Sequence, residues 1–138
     1  MKPPALLDTH IWLWWLLGQA ELTAREREAL DNLAAAGTPP ALSAISLWEA
    51  QMLVEKGRLT LDIPLVYWLP TAATAEIVTL LPIDVEVVLA LENLPKSFHG
   101  DPADRIIVAT ARAHGLPLLS RDGNIRRSRA ATLWKPGS

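Results

Sequence analysis

The chain has 138 residues and a net charge of −2, and half of its residues are hydrophobic and a fifth charged, which indicates one globular domain and excludes a disordered protein. The absence of cysteine excludes disulfides, thiolate catalysis and cysteine-based zinc sites, and it agrees with a reducing compartment. The N-terminus lacks a signal-peptide pattern and the longest proline-free apolar run, residues 11–17, is too short to span a membrane, so we expect a cytoplasmic protein with no membrane partner.

Strand and helix patterns alternate from the N-terminus onwards. The predicted elements are strand 5–7, helix 9–17, helix 23–36, strand 40–46, helix 46–56, helix 64–75, strand 76–81, helix 84–92, helix 102–114, strand 116–120, a helical turn after Asp122 and a last strand near 132–134. Repeated strand–helix units with short connections predict the α/β class in a single domain. Because the strands are nearly all apolar, the parallel sheet should be flanked by helices on both faces.

Acidic residues follow the predicted strands. They are Asp8 after the first strand, Glu49 in the helix after the second, Asp101 and Asp104 at the start of helix 102–114, and Asp122 after strand 116–120. Because parallel strands end at one edge of a sheet, these acids should reach the same rim. Asp104 shares a helical stripe with the apolar residues 107, 108 and 111, so it should point over the sheet.

Each acid also has a purely structural explanation. Every aspartate could cap or begin the helix that follows it, and Ser46 with Glu49 has the spacing of a capping box. For any single acid, capping is the simpler explanation. Together, however, converging carboxylates repel one another and need a counter-charge. Arg105 or Arg121 could supply part of it, and a hard cation such as Mg²⁺ or Mn²⁺ would supply it better.

Two further features have competing interpretations. His10, His99 and His114 are scattered along the chain, which favours capping or packing roles over metal binding. Residues 11–17, here called the tryptophan-rich segment, are apolar on all sides of a helix and should therefore be buried. They form ordinary core, or a dimer face, or a groove for an apolar segment of a partner.

Positive charge is concentrated near the C-terminus. Residues 1–95 carry five basic and twelve acidic side chains, whereas residues 96–138 carry eight basic and three acidic ones. Four arginines lie close together there: Arg121, Arg126, Arg127 and Arg129. This excess indicates a surface for a polyanion, unless the arginines simply belong to a solvated helix.

Four stretches together carry a family resemblance: "LLDTHIWLW", "LSAISLWEAQMLVEKGRL", "FHGDPADRIIVATARAHGLPLLSRD" and the short tail after them. In order and spacing, residues 1–138 resemble a PIN-domain ribonuclease, and most nearly the VapC-type toxin of a VapBC toxin–antitoxin pair. The resemblance implies an Mg²⁺- or Mn²⁺-dependent RNA endonuclease with four acids that are both catalytic residues and metal ligands: Asp8, Glu49, Asp104 and Asp122. One departure is that Gln51 and Met52 stand where many relatives have a lysine soon after the glutamate.

The resemblance also implies supporting residues and a partner. Asp101, Ser46 and Ser120 match supporting positions, and we expect Arg105 to orient carboxylates. One or two metal ions would activate a water to hydrolyse an RNA phosphodiester, and the arginine cluster could bind phosphates beside the cut. A small antitoxin protein would inhibit the site, and we further expect a homodimer.

Three other functions fit parts of the sequence. A phosphoacceptor receiver domain needs paired acids after the first strand and an aspartate after a middle one, whereas this chain offers only Asp8 and no aspartate in residues 40–46. A non-catalytic binding module predicts gaps in the acid set, and it has none. A housekeeping PIN nuclease without an antitoxin has the same pattern as a toxin.

Overall fold

The computed structural model describes residues 2–98 and 100–136. Within these residues, a four-stranded parallel sheet is formed by β1 (Leu6–Leu7), β2 (Ala41–Ser43), β3 (Thr79–Leu81) and β4 (Leu118–Leu119), in the order β3-β2-β1-β4. The connecting helices are α1 (Thr9–Leu17), α2 (Ala24–Ala35), α3 (Ile45–Glu55), α4 (Leu65–Ala72), α5 (Val85–Glu92), α6 (Pro102–His114) and α7 (Gly123–Ser128). This is the predicted α/β architecture.

The helices agree with the sequence more closely than the strands do. The bounds of α1 and α6 are as predicted, because a cap begins each helix and a left-handed glycine ends it. The strands are shorter than their apolar runs. Strand β2, for example, ends at Ser43 because helix α3 begins two residues later. The strand predicted near 132–134 is reduced to one parallel bridge between Leu118 and Leu133.

The sheet separates two hydrophobic clusters. Successive residues of a strand point to opposite faces, so Leu6 and Leu118 belong to one cluster while Leu7 and Leu119 belong to the other. The first cluster includes apolar residues of α5, α6 and α7, and the second includes residues of α1 to α4. Burial on both faces therefore explains why the strands are mostly apolar and carry no charged residue.

Most of the tryptophan-rich segment is core. The indole N–H of Trp12 donates to the carbonyl of Ala72 at 3.0 Å, and that of Trp15 donates to Asp31 at 2.8 Å. Both rings are buried with their polar atom satisfied, which is how a core accommodates tryptophan. Trp14 is only half-buried. Among the described residues, no helix is both long and apolar enough to cross a membrane.

Candidate active site

Five acidic side chains line one cleft at the carboxyl edge of the sheet. This acidic cleft has a volume of about 330 Å³ and is lined by Asp8, His10, Trp14, Glu49, Asp101, Asp104, Arg121 and Asp122. It therefore contains all four acids that the family resemblance implies, together with the predicted supporting acid. They come from four separate segments, because each strand ends and each next helix begins at this edge.

Three aspartates of the acidic cleft are also helix caps. Asp8, Asp101 and Asp122 are the N-caps of α1, α6 and α7, and their carboxylates accept backbone N–H groups at 2.8, 2.8 and 2.9 Å. A cap fixes the position of the carboxylate at the start of its helix. The structural and the functional explanations of these residues are therefore compatible.

The capping box predicted at Ser46 and Glu49 is wrong. Helix α3 begins at Ile45, its N-cap is Ala44, and this cap has no side-chain hydrogen bond. Ser46 consequently lies inside the first turn, where its hydroxyl is 2.7 Å from the hydroxyl of Thr9. Thr9 donates its single proton to Glu49, so Ser46 is the donor to Thr9.

Thr9 is a site residue that the sequence analysis missed. Its hydroxyl is buried and links α1 to the glutamate on α3, which is 40 residues away in sequence. The available signal was its position directly after Asp8, since a hydroxyl at the start of a buried helix needs a partner. The identity of that partner depends on the packing of α1 against α3, which no local pattern predicts.

Ser120 joins two acids of the cleft. Its hydroxyl donates to Oδ2 of Asp8 at 2.6 Å and accepts the backbone N–H of Asp122 at 3.0 Å. Ser120 is buried at the end of β4, so this contact is shielded from water. The supporting position that the resemblance implied for Ser120 is thus in direct contact with the first acid.

Burial and mutual repulsion raise the pKa of three acids. Burial raises the pKa of Asp8, although Ser120 and the backbone N–H of Thr9 donate hydrogen bonds to it. Burial likewise raises the pKa of Glu49 against the hydrogen bond from Thr9. For Asp104, burial is joined by repulsion from the other four carboxylates, and together they raise its pKa to about 8. The cleft therefore holds more negative charge than its own counter-charges stabilise.

This donor set suits a hard divalent cation. Mg²⁺ and Mn²⁺ prefer carboxylate oxygens, and a bound cation would relieve the repulsion that raises the pKa of Asp104. Within residues 2–98 and 100–136, no three acidic or histidine side chains already form a complete metal-binding group. Chelation would thus require the carboxylates to approach one another, as repelling groups do when a cation lies between them.

The histidines are in different surroundings. His10 is exposed in the acidic cleft, where its ring centroid is 5.8 Å from that of Trp14. His114 ends α6, and its Nε2 is buried without a hydrogen-bond partner among the described residues. His99 lies outside the described residues.

The arginines do not share one surface. Arg121 lines the acidic cleft, but its guanidinium is paired with Glu26 of α2. Arg126 borders a second cleft next to it, while Arg127 and Arg129 border two other cavities. Of the four predicted RNA-binding side chains, Arg121 and Arg126 therefore share that second cleft, whereas the other two line separate cavities.

Arg105 contacts the loop before α6. Its guanidinium donates to the carbonyl of Phe98 at 3.3 Å, and it is not part of the lining of the acidic cleft. The expected contact of Arg105 with carboxylates is therefore not present among the hydrogen bonds of the described chain. Its bond instead ties the loop to the helix that carries Asp104.

Comparisons with known proteins agree with this geometry. The PIN domain family model matches residues 5–130. Ribonuclease VapC22 of Mycobacterium tuberculosis is 36% identical over 132 residues, which cover 94% of this chain and 97% of that protein.

Solved structures have the same fold. The crystal structure of VapBC2 from Rickettsia felis bound to a promoter DNA fragment aligns with a TM-score of 0.71 at 18% identity, over 94% of this chain and 96% of that chain. A toxin–antitoxin complex from Klebsiella pneumoniae aligns with a TM-score of 0.63 at 20% identity, over 96% and 97%. Fold, family model and sequence identity agree, and the chain belongs to the PIN-domain family, among the VapC ribonucleases.

Proposed function

We propose that this protein is a divalent-metal-dependent endoribonuclease and the toxin of a toxin–antitoxin pair. The observation that carries the proposal is the acidic cleft, in which four separate segments bring together Asp8, Glu49, Asp104 and Asp122. The name of the M. tuberculosis relative supports ribonuclease activity, and the titles of the aligned structures support an antitoxin partner.

The four acids would hold Mg²⁺ or Mn²⁺, which when bound supplies Lewis acidity at the phosphodiester and a more acidic water. The rest of the site prepares these acids for that task. Ser120 and the backbone of Thr9 donate to the two oxygens of Asp8, and the Thr9 hydroxyl donates to Glu49. Donated hydrogen bonds favour the ionised carboxylate and fix its rotamer, so they offset part of the effect of burial.

Asp104 is an acid of the cleft whose pKa lies near neutral pH. Its pKa of about 8, raised by burial and then by the neighbouring carboxylates, leaves it largely protonated at pH 7 when nothing neutralises the cluster. Asp101 accepts the backbone N–H of Asp104 and so fixes the helix start that carries it. Neutralising the cluster would release that proton and free the Asp104 carboxylate as a ligand.

A groove of mixed character beside the acidic cleft supports the antitoxin partner. This groove lies between α1 and the end of α3, and its lining combines five polar residues with the apolar side chains of Leu13, Trp14, Leu17, Leu53 and Leu59. His10 and Trp14 line both it and the acidic cleft, so the two are continuous. A partner segment with apolar side chains in the groove could place a basic side chain among the acids and block them.

We also propose a homodimer, through a different surface from the tryptophan-rich segment. That segment is mostly core, whereas helices α4 and α5 carry exposed apolar side chains: Val66, Tyr67, Val85, Val88 and Leu89. Val85 is 74% exposed, which is unusual for valine unless another surface covers it. Sedimentation equilibrium of the parent and of Val85→Lys tests this, and a monomeric parent at high concentration would contradict it.

The decisive test of the function is RNA cleavage by the purified protein. We expect it to cut bacterial RNA at mappable 5′ and 3′ ends with Mg²⁺, and to lose that activity with EDTA or as the Asp8→Ala variant. Cutting that persists under either condition would overturn the nuclease proposal. Induction in a bacterial host should arrest growth, and co-expression of a small neighbouring protein should relieve the arrest if the toxin assignment is correct.

A further inference from the structure

A second cleft lies directly beside the acidic cleft. It has a volume of about 250 Å³, and its lining includes Thr23, Glu26, Ser120, Arg121, Arg126 and Trp134. We call it the tail cleft, because the last part of the described chain forms one of its walls. Arg121 lines both clefts, so the two lie on either side of one side chain.

We propose that the tail cleft binds the nucleotide adjoining the scissile phosphate of single-stranded RNA, with its base against Trp134 and its phosphate at Arg126. This inference rests on the proposed ribonuclease function and adds a substrate subsite to it. A volume of 250 Å³ has room for one flat base and excludes a duplex. The subsite therefore requires an unpaired strand, whose bases are free to stack on aromatic side chains.

The tail cleft and the acidic cleft lie next to each other. Ser120 lines the tail cleft, yet its hydroxyl donates to Asp8 in the acidic cleft at 2.6 Å. Ser120 and Arg121 therefore connect the two spaces along this edge. A strand with a phosphate at the acids and its neighbouring nucleotide beyond Arg121 would occupy both clefts at once.

The two clefts differ in charge. The acidic cleft carries five carboxylates, and its arginine is already paired with Glu26, so this cleft by itself repels a polyanion. The tail cleft is lined by Arg126 and Lys135 together with the Arg121–Glu26 ion pair, which is neutral as a unit. Attraction for RNA therefore has to come from beside the acids, and the tail cleft is positive and adjoins them.

Trp134 is held in place by its backbone and by its packing. Its backbone N–H donates to the carbonyl of Leu118 at 2.8 Å, next to the parallel bridge between Leu118 and Leu133. The indole packs partly against the second hydrophobic cluster and partly borders the tail cleft. A ring that is already fixed loses little freedom on stacking with a base, and such stacking does not depend on which base it is.

The opposite wall is fixed as well. Glu26 binds the guanidinium of Arg121 and closes the capping box of α2 by accepting the backbone N–H of Thr23 at 2.9 Å. Arg121 is thereby held between the two clefts. The cleft is thus preorganised on both sides, by a capped helix on one and by a strand-like segment on the other.

The test measures RNA affinity without cleavage. In an Asp104→Asn background, a fluorescein-labelled single-stranded RNA is titrated by anisotropy at several salt concentrations. Trp134→Leu, which keeps apolar packing and removes the aromatic face, should weaken binding about tenfold. Arg126→Ala should weaken it about as much and lower the salt slope by about one.

Two matched variants control the comparison. Lys56→Ala removes one positive charge from an exposed residue at the end of α3 that lines neither cleft. Trp48→Leu makes the same substitution at an indole that is 53% exposed on α3 and lines neither cleft. We expect losses below about threefold for both, which reflect long-range charge only. Circular dichroism of each variant verifies that it is folded.

The outcomes separate this inference from the function on which it rests. If Trp134→Leu and Arg126→Ala bind RNA as well as their controls do, the subsite is wrong even when the parent cleaves RNA. If these substitutions weaken only the binding of an antitoxin, the cleft is a protein site and the inference is overturned. A parent that binds RNA through Trp134 yet never cleaves it would instead contradict the proposed function.

Discussion

The acidic cleft and the tail cleft meet at Arg121 and differ in charge and in origin. The first is made of carboxylates at the ends of strands and the starts of helices, and those of Asp8, Glu49, Asp101 and Asp122 accept cap or hydroxyl hydrogen bonds. The second is made of α2, β4 and the last described residues, and is positive. The groups for chemistry and the groups for substrate attraction therefore lie apart, because a cleft that concentrates carboxylates repels RNA.

The largest effect should follow from removing one carboxylate of the acidic cleft. Asp104→Asn keeps the shape of the side chain and removes the charge that a cation needs, so we expect RNA cleavage to fall by about a thousandfold or more. Glu28→Gln removes an acid from the exposed face of α2 and should cleave like the parent. Comparable rates for Asp104→Asn and Glu28→Gln would contradict the assignment of the acidic cleft.

The next effect should come from Thr9, which holds Glu49 through its hydroxyl. Thr9→Val keeps the shape and leaves Glu49 without this donor, so we expect Mn²⁺ affinity and cleavage to fall about 10- to 100-fold. Thr9→Ser keeps the hydroxyl and is the matched control. Calorimetric titration with Mn²⁺ measures the affinity directly. If valine and serine behave alike, the hydroxyl does not position the glutamate.

A smaller effect is expected on stability, where Asp104→Asn should raise the free energy of unfolding although it abolishes cleavage. The pKa of Asp104 is raised by burial and neighbouring carboxylates from 3.8 to about 8, so the folded state binds its proton more tightly than the unfolded state. Without metal, the free energy of unfolding should therefore fall as pH rises from about 4 to about 8. Asp104→Asn cannot ionise, and at pH 8 it should be more stable than the parent by ~2 kcal/mol after allowance for solvent screening.

Urea denaturation in EDTA at pH 4, 6 and 8 measures this difference between the parent and Asp104→Asn. Saturating Mg²⁺ should remove most of it, because the cation stabilises the ionised carboxylates of the parent. A parent that becomes more stable from pH 4 to pH 8 in EDTA, with no gain for the variant, would show that the carboxylates do not repel one another.

The smallest effect should come from the pair that separates the two clefts. Burial opposes ionisation of Glu26, but hydrogen bonds from Arg121 and Thr23 prevail and lower its pKa below 4.5. The stability that this group contributes is therefore present above that pH and lost as pH falls through the folded pKa. Glu26→Gln should be less stable by ~1 kcal/mol at pH 7, since Arg121 is partly exposed.

At acid pH, the parent and Glu26→Gln should have the same stability. Thermal denaturation at pH 7 and at a pH below the folded-state pKa of Glu26 measures whether the difference disappears when this carboxylate is protonated. The exposed acid Glu28 again supplies the control, because its Gln variant should match the parent at both values. A difference for Glu26→Gln that is independent of pH would mean that packing, rather than the ion pair, explains it.

Much of the fold was predictable because its signals are local. Capping aspartates, terminal glycines and apolar runs fixed the helices α1 and α6 within the sequence itself. The meeting of the acids in one cleft was predictable as well, since the ends of parallel strands lie at one edge of the sheet. Strand lengths were less predictable, because pairing depends on neighbours that are distant in sequence.

The missed features depend on tertiary contacts. The partner of Thr9 lies on α3, and the pairing of Arg121 with Glu26 joins residues 95 positions apart. The arginine cluster was close in sequence, but a short helix and its left-handed end at Arg129 direct the side chains to different cavities. Proximity along the chain predicts a common face only for side chains with helical spacing.

Anomalous diffraction from a crystal soaked in Mn²⁺ shows whether the carboxylates of the acidic cleft bind a metal ion. We predict a peak inside the acidic cleft, within coordination distance of the carboxylates of Asp8 and Asp104, which will have moved together around it. A crystal saturated with Mn²⁺ that shows no peak among these carboxylates would contradict the account of this protein as a metal-dependent nuclease.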